Sequence, residues 1–108
     1  MKKHFKLKQG NSYTFVGELK DNDGNVVQLS DYEKITVLIT SPGVFQVTIR
    51  ENEYRIENNK IIFGLSGEQT RFFRQFVKVE AALQRNGKTT VGVYEQNIVV
   101  EHNNISKL

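Results

Sequence analysis

Phe76-Val77-Lys78-Val79-Glu80-Ala81-Ala82-Leu83-Gln84-Arg85 runs into Asn86-Gly87 and on into Lys88-Thr89-Thr90-Val91. Val77, Val79, Ala81 and Leu83 alternate with Lys78, Glu80, Ala82 and Gln84, so one side of this stretch faces a core and the other faces water. Asn-Gly suits the two positive φ angles of a type I′ turn, whose twist matches a two-residue hairpin. The stretch therefore predicts a hairpin linking Phe76–Arg85 to Lys88–Glu101, with Arg85 opposite Lys88. Counting back, Val79 faces Tyr94, and Lys78 faces Glu95 as an exposed cross-strand ion pair. Gly92 marks a candidate bulge in the return strand, which would move that register by one.

The same period of two recurs outward from the hairpin. Phe45, Val47 and Ile49 alternate with Gln46, Thr48 and Arg50, and Tyr13, Phe15, Gly17 and Leu19 alternate with Thr14, Val16, Glu18 and Lys20. Phe5 and Leu7 do so among His4, Lys6 and Lys8. Residues 35–40 and 61–65 are further runs rich in β-branched and aromatic residues. Turn chemistry punctuates these runs. Asp21-Asn22-Asp23-Gly24-Asn25 reads as a tight turn, Ser41-Pro42-Gly43 as type II, and Asn58-Asn59 as another turn. Ser30 and Glu33 stand at capping-box spacing for a single helical turn, and 66–70 forms a similar one-turn connector.

Seven or eight short strands with a turn about every ten residues predict an all-β, Ig-like antiparallel sandwich, with a small closed barrel as the alternative. The chain has 108 residues, which makes one domain over 1–108, with a short basic arm at 1–4 and a short tail at 102–108. It contains no Cys and no Trp, so the inter-sheet disulfide and buried Trp of antibody domains are impossible. A signal peptide and a membrane-spanning segment are not expected, because no apolar run approaches the necessary length.

The net charge of +3 suggests an acidic partner until it is located. Lys2, Lys3, Lys6 and Lys8 fall in the first ten residues with no acid among them. Residues 11–108 then hold eleven positive and twelve negative charges, a net of −1. The excess is a terminal arm and not a groove, so nucleic acid is not the expected partner.

Catalytic chemistry finds no footing in the pattern. His4 and His102 lie near opposite ends of the chain, without the paired spacing of a metal site. Gly64-Leu65-Ser66-Gly67 lacks the spacing of a nucleophile elbow. Asp21, Asp23 and Asp31 begin like a calcium loop, but Gly24 stands fourth where the sixth is required, and the twelfth position is Tyr32. No catalytic, cofactor-binding or metal-binding residues, and no cofactor, are expected.

One cluster stands out for contact chemistry. Phe72, Phe73 and Phe76 sit among Arg71 and Arg74. Extended as a strand, the segment places Phe72, Arg74, Phe76 and Lys78 on one face, opposite Val77 and Val79. Core packing at the strand entry is the first reading of this cluster, a protein contact built on Phe and Arg the second, and base stacking on nucleic acid the last. Because a buried face would not interleave such cations and an exposed face would not carry two Phe, the contact is the functional candidate.

The order of features also carries a resemblance. Phe5, Leu7, Gln9-Gly10-Asn11-Ser12, Thr14-Phe15, Gly17 and Leu19 come first. The Asp23-Gly24-Asn25 turn, Val27-Gln28-Leu29-Ser30 and the run Ile35-Thr36-Val37 follow. Gly67-Glu68-Gln69-Thr70 then precedes the long hairpin tipped by Asn86-Gly87-Lys88. Over roughly residues 4–101 this resembles the N-terminal Ig-like β-sandwich domain of phage baseplate upper proteins and related modules of phage tail structural proteins. The resemblance implies a non-enzymatic virion structural protein, a tail or baseplate module acting through protein–protein assembly. Its partners would be copies of itself, as a homo-oligomer, or other phage structural proteins, in the virion or in the host cytoplasm before assembly. The family motif is structural, so no functional residue carries over. A carbohydrate- or cell-surface-binding module is the second expectation. Tyr13, Tyr32, Tyr54 and Tyr94 are dispersed, which ranks it behind the first.

Overall fold

The computed structural model describes residues 5–96 and 98–102; the basic arm, including His4, and the tail beyond His102 lie outside them. Among the described residues nine strands form: β1 Phe5–Lys8, β2 Tyr13–Gly17, β3 Lys34–Ser41, β4 Phe45–Ile49, β5 Tyr54–Glu57, β6 Lys60–Leu65, β7 Phe76–Arg85, β8 Lys88–Val93 and β9 Ile98–Glu101. One helical turn, α1, covers Gly67–Thr70, and a 3-10 turn covers Leu29–Asp31.

The strands make two sheets, as expected of an all-β sandwich. The larger runs β1-β9-β7-β3-β4, with β8 also paired to β7; the smaller runs β2-β6-β5. β8 and β9 share one side of β7, taking its upper half (80–85) and its first two residues respectively. Residues on the inner parity of each strand supply the core: Ile35, Val37 and Ile39 on β3, Val77, Val79, Ala81 and Leu83 on β7, and Phe15, Ile61, Phe63 and Leu65 from the facing sheet. Burying a side chain of this size contributes about 1.5–3 kcal/mol. The alternation that is legible in the sequence is thus the energetic reason for the two layers.

The hairpin forms in the expected register. Asn86 and Gly87 have φ of 51° and 75°, the two positive angles of a type I′ turn. Arg85 stands opposite Lys88, and the ladder continues unbroken to Glu80 opposite Val93. No bulge forms at Gly92, which lies opposite Ala81. A Cβ there would come within 3.0 Å of Leu83 and 3.3 Å of Leu19, so the glycine admits Leu19 to the core. The expected Lys78–Glu95 pairing is not reached: the ladder stops at Val93, and Glu95 Oε2 lies 2.5 Å from Lys20 Nζ. The backbone explains the change. Lys20 and Val93 exchange two hydrogen bonds of 2.8 Å, which draws the segment after β2 against the end of β8.

Other details differ from expectation for local reasons. Residues 88–101 divide into β8 and β9, because the chain leaves β7 after Tyr94 and rejoins it at Ile98. β9 then takes β1 as a parallel neighbour, where an antiparallel sheet was expected. β5 is not among the expected strands: its Tyr54 and Ile56 alternate with Arg55 and Glu57 over only four largely exposed residues. It pairs only as the edge of the small sheet. Ser30 does not cap a helical turn: Gln28 holds the N-cap position of the 3-10 turn without a side-chain capping bond, and its Nε2 donates to Ser30 Oγ at 3.2 Å. Glu33 does not close a capping box, and its Oε1 accepts from the Asn86 amide at 3.0 Å. The second capping motif forms as expected of a one-turn connector, with Ser66 and Gln69 bonded reciprocally.

Candidate interaction surface

The segment from α1 into β7 is fixed by buried polar side chains. Thr70 Oγ1 donates to the carbonyl of Asn11 at 2.8 Å and accepts from the amide of Gly10 at 3.1 Å. Gln9 Nε2 donates to the carbonyl of Phe73 at 2.7 Å. The Ser41 hydroxyl donates to the carbonyl of Arg74 and accepts from its amide, both at 2.9 Å. Gln9, Ser41 and Thr70 are all buried. Each of these bonds satisfies a backbone group that would otherwise be costly to remove from water.

This bracing prevents the strand from beginning at Phe72. β7 begins at Phe76, and Gln75 is left-handed with φ of 59°. Phe72, Arg74, Phe76 and Lys78 therefore do not share one strand face, and that expectation is corrected. Phe73 is fully buried and anchors the segment in the core. Phe72 remains 45% exposed and packs its ring 5.0 Å from that of Phe45. The Arg74 guanidinium turns back to donate to the carbonyls of Arg71 (2.8 Å) and Phe73 (2.9 Å). Phe76 and Lys78 do lie together on the outer face of the large sheet, opposite Val99 and Thr40 respectively.

Three of the four residues still lie about one turn, with Arg74 and Phe76 lining a shared depression and Phe72 outside it. The β3–β4 turn is closed by Val44 N donating to Ser41 O at 3.0 Å, with Gly43 at φ 74° as the type II reading requires. On one side of this turn Phe45 receives Phe72. On the other, Pro42 and Val44 line a shallow depression with Arg74, Gln75, Phe76 and His102. Val44 is 55% exposed. One side of the turn thus presents Pro42, Val44 and half-buried Phe76 with Arg74, and the other presents Phe72, over whose ring the Arg71 guanidinium lies 5.5 Å from the centroid. Lys78 lies farther along the sheet. Sequence reasoning missed Pro42, Val44 and the bracing Ser41, because turn residues carry no periodicity; the Pro-Gly turn followed by Val was the available signal.

The acids that suggested a metal are otherwise engaged or apart. Asp21 Oδ1 accepts from the amides of Asp23 (2.9 Å) and Asn25 (3.0 Å), which makes the run a tight turn. Among the described residues no three His, Asp or Glu side chains gather as a metal site requires, and no helix is long and apolar enough to cross a membrane. Compared with known proteins, the chain matches no family model and no curated sequence.

Proposed function

We propose that this chain is a non-enzymatic structural module of a phage or prophage virion, of the tail or baseplate, and that it acts by docking to other protein surfaces. The observation that carries the reading is the apolar rim of exposed Pro42, Val44 and Phe72 with half-buried Phe76. It is held on a braced turn, so little conformational entropy is lost on contact. The strand order supports the Ig-like form of the sandwich. β7 lies between β3 and the last strands in one sheet, and β6 between β2 and β5 in the other; that order matches the C-F-G and B-E-D arrangement of the Ig plan. The virion assignment rests on the sequence resemblance.

The test is sedimentation of the wild type and of Val44→Glu and Phe72→Glu over a wide concentration range, alone and with the products of the adjacent reading frames. Both side chains are exposed, so the fold is expected to survive. Assembly by the wild type, lost in either variant, is the expected result. A wild type that stays monomeric and captures none of those products sinks the reading.

A further inference from the structure

The opposite end of the sandwich carries a second and chemically different surface. β3 and β7 pair from Thr40 opposite Lys78 at the apolar end to Lys34 opposite Gln84 at the other. Beyond Gln84 the hairpin sets Arg85 directly opposite Lys88. Residues so placed have Cβ atoms about 5 Å apart, and like charges there are destabilising. Neither cation has an ion-pair partner among the described residues. Both continue the inner parity of their strands past the last core residue, Leu83. They line a depression with Asp31, Tyr32, Asn86 and Thr90.

The walls of this depression are tied to each other. Leu29 is buried, and its amide donates to Asn59 Oδ1 at 2.8 Å, which fixes the 3-10 turn that ends at Asp31. Tyr32 follows and packs against the core. Glu33 then joins the two walls: its amide donates to Gln84 O at 2.8 Å, and its carboxylate accepts from the Asn86 amide. That carboxylate is thereby engaged with the hairpin tip. A depression assembled in this way is preorganised, which lowers the cost of binding.

We propose that this depression binds an acidic saccharide, a sugar ring bearing one carboxylate or phosphate. Arg85 and Lys88 supply charge-assisted donors for the anionic group. Asp31, Asn86 and Thr90 supply acceptors and donors for ring hydroxyls, and Tyr32 supplies an aromatic surface for the apolar face of the ring. Asp31 in the lining, with the Glu33 carboxylate held on the Asn86 amide, disfavours a bare polyanion such as nucleic acid and suits a ligand that has hydroxyls as well as charge. The site lies at the end away from the apolar rim, so its occupation and the proposed docking do not compete, and either can fail without the other.

The experiment is an amide chemical-shift titration of the whole chain with glucuronic acid and with glucose 6-phosphate. Glucose and inorganic phosphate serve as neutral and ion-only controls. Saturable shifts at Tyr32, Asn86 and Gly87 with either acidic sugar, at least tenfold tighter than with both controls, are expected. The two acidic probes distinguish a uronate from a sugar phosphate. Arg85→Gln and Lys88→Gln should each weaken binding at least tenfold while the melting temperature holds or rises, because each relieves the like-charge pair. Shifts equal to those given by glucose or by phosphate, no shift at all, or unchanged affinity in both variants would overturn the proposal.

Discussion

Ser41 and Arg74 are joined by two hydrogen bonds, with the serine hydroxyl donating to the arginine carbonyl and accepting from the arginine amide. A side chain thus completes a backbone pairing where the sheet cannot, one residue before the left-handed Gln75. Ser41→Ala removes both bonds from a fully buried position. The expected cost is about 1–3 kcal/mol, that of leaving buried polar groups unpaired. Urea denaturation measures it, and hydrogen exchange at the Arg74 amide should accelerate in parallel. An unchanged midpoint would mean that water replaces the hydroxyl without loss.

Gly17 makes room for an aromatic cluster. A Cβ at this position falls 2.6 Å from Tyr94 Cε1 and 2.7 Å from Phe15 Cζ. Phe15 itself stacks on Phe63 at 4.8 Å and meets Tyr94 edge-on at 4.7 Å. Gly17→Ala therefore forces the rings apart, with an expected loss of about 1–3 kcal/mol from overpacking. The same substitution in a Tyr94→Ala background should cost much less. Equal losses in both backgrounds would show that the ring of Tyr94 is not the obstacle.

The hairpin and the inner faces of β3, β4 and β7 were legible from the sequence, because alternation and the Asn86-Gly87 turn are local signals. What escaped depends on contacts remote in sequence. Asn59 was readable as a turn residue, yet its amide also donates to Val27 O and accepts from Leu29 N, each at 2.8 Å; nothing near Asn59 in the chain announces those partners. The face assigned to Phe72 was wrong for the same reason. The period-two count presumed a strand, whereas Gln9, Ser41 and Thr70 hold that backbone in a different path. Of the three rings in that segment, Phe72 is exposed, Phe73 is core and Phe76 is half-buried.

Alkaline pH should weaken the fold. Burial raises the phenol pKa values of Tyr13, Tyr54 and Tyr94 above the ordinary 10.0, helped at Tyr54 by the charge of Glu51. The unfolded chain then releases these protons first, so stability falls as pH rises past about 10. Lys20 acts in the same direction. The hydrogen bond and charge of Glu95 raise its pKa above 10.5, so its stabilising contribution is present below that value and lost as pH rises through the folded one. Urea midpoints between pH 8 and 11 should hold at first and then decline beyond about pH 10. A midpoint that rises over the last unit would contradict both assignments.

Phe72 and Phe73 are sequence neighbours with opposite roles, and they separate contact from core. Phe73 is fully buried, with its ring 5.8 Å from Phe45, whereas Phe72 covers the same Phe45 from outside and remains half exposed. Phe73→Ala opens a cavity at the point where the chain enters β7. The expected loss is about 3–5 kcal/mol, which for a domain of this size removes much of the total stability. Phe72→Ala leaves that anchor in place and should cost no more than about 1 kcal/mol, the range of a partly exposed substitution. Its effect should fall instead on association, since Phe72 is exposed against Phe45, next in the chain to the exposed Val44. Melting curves and sedimentation of the two variants side by side decide the matter. A Phe72→Ala protein that unfolds as readily as Phe73→Ala would place both rings in the core and leave the rim without its aromatic contact.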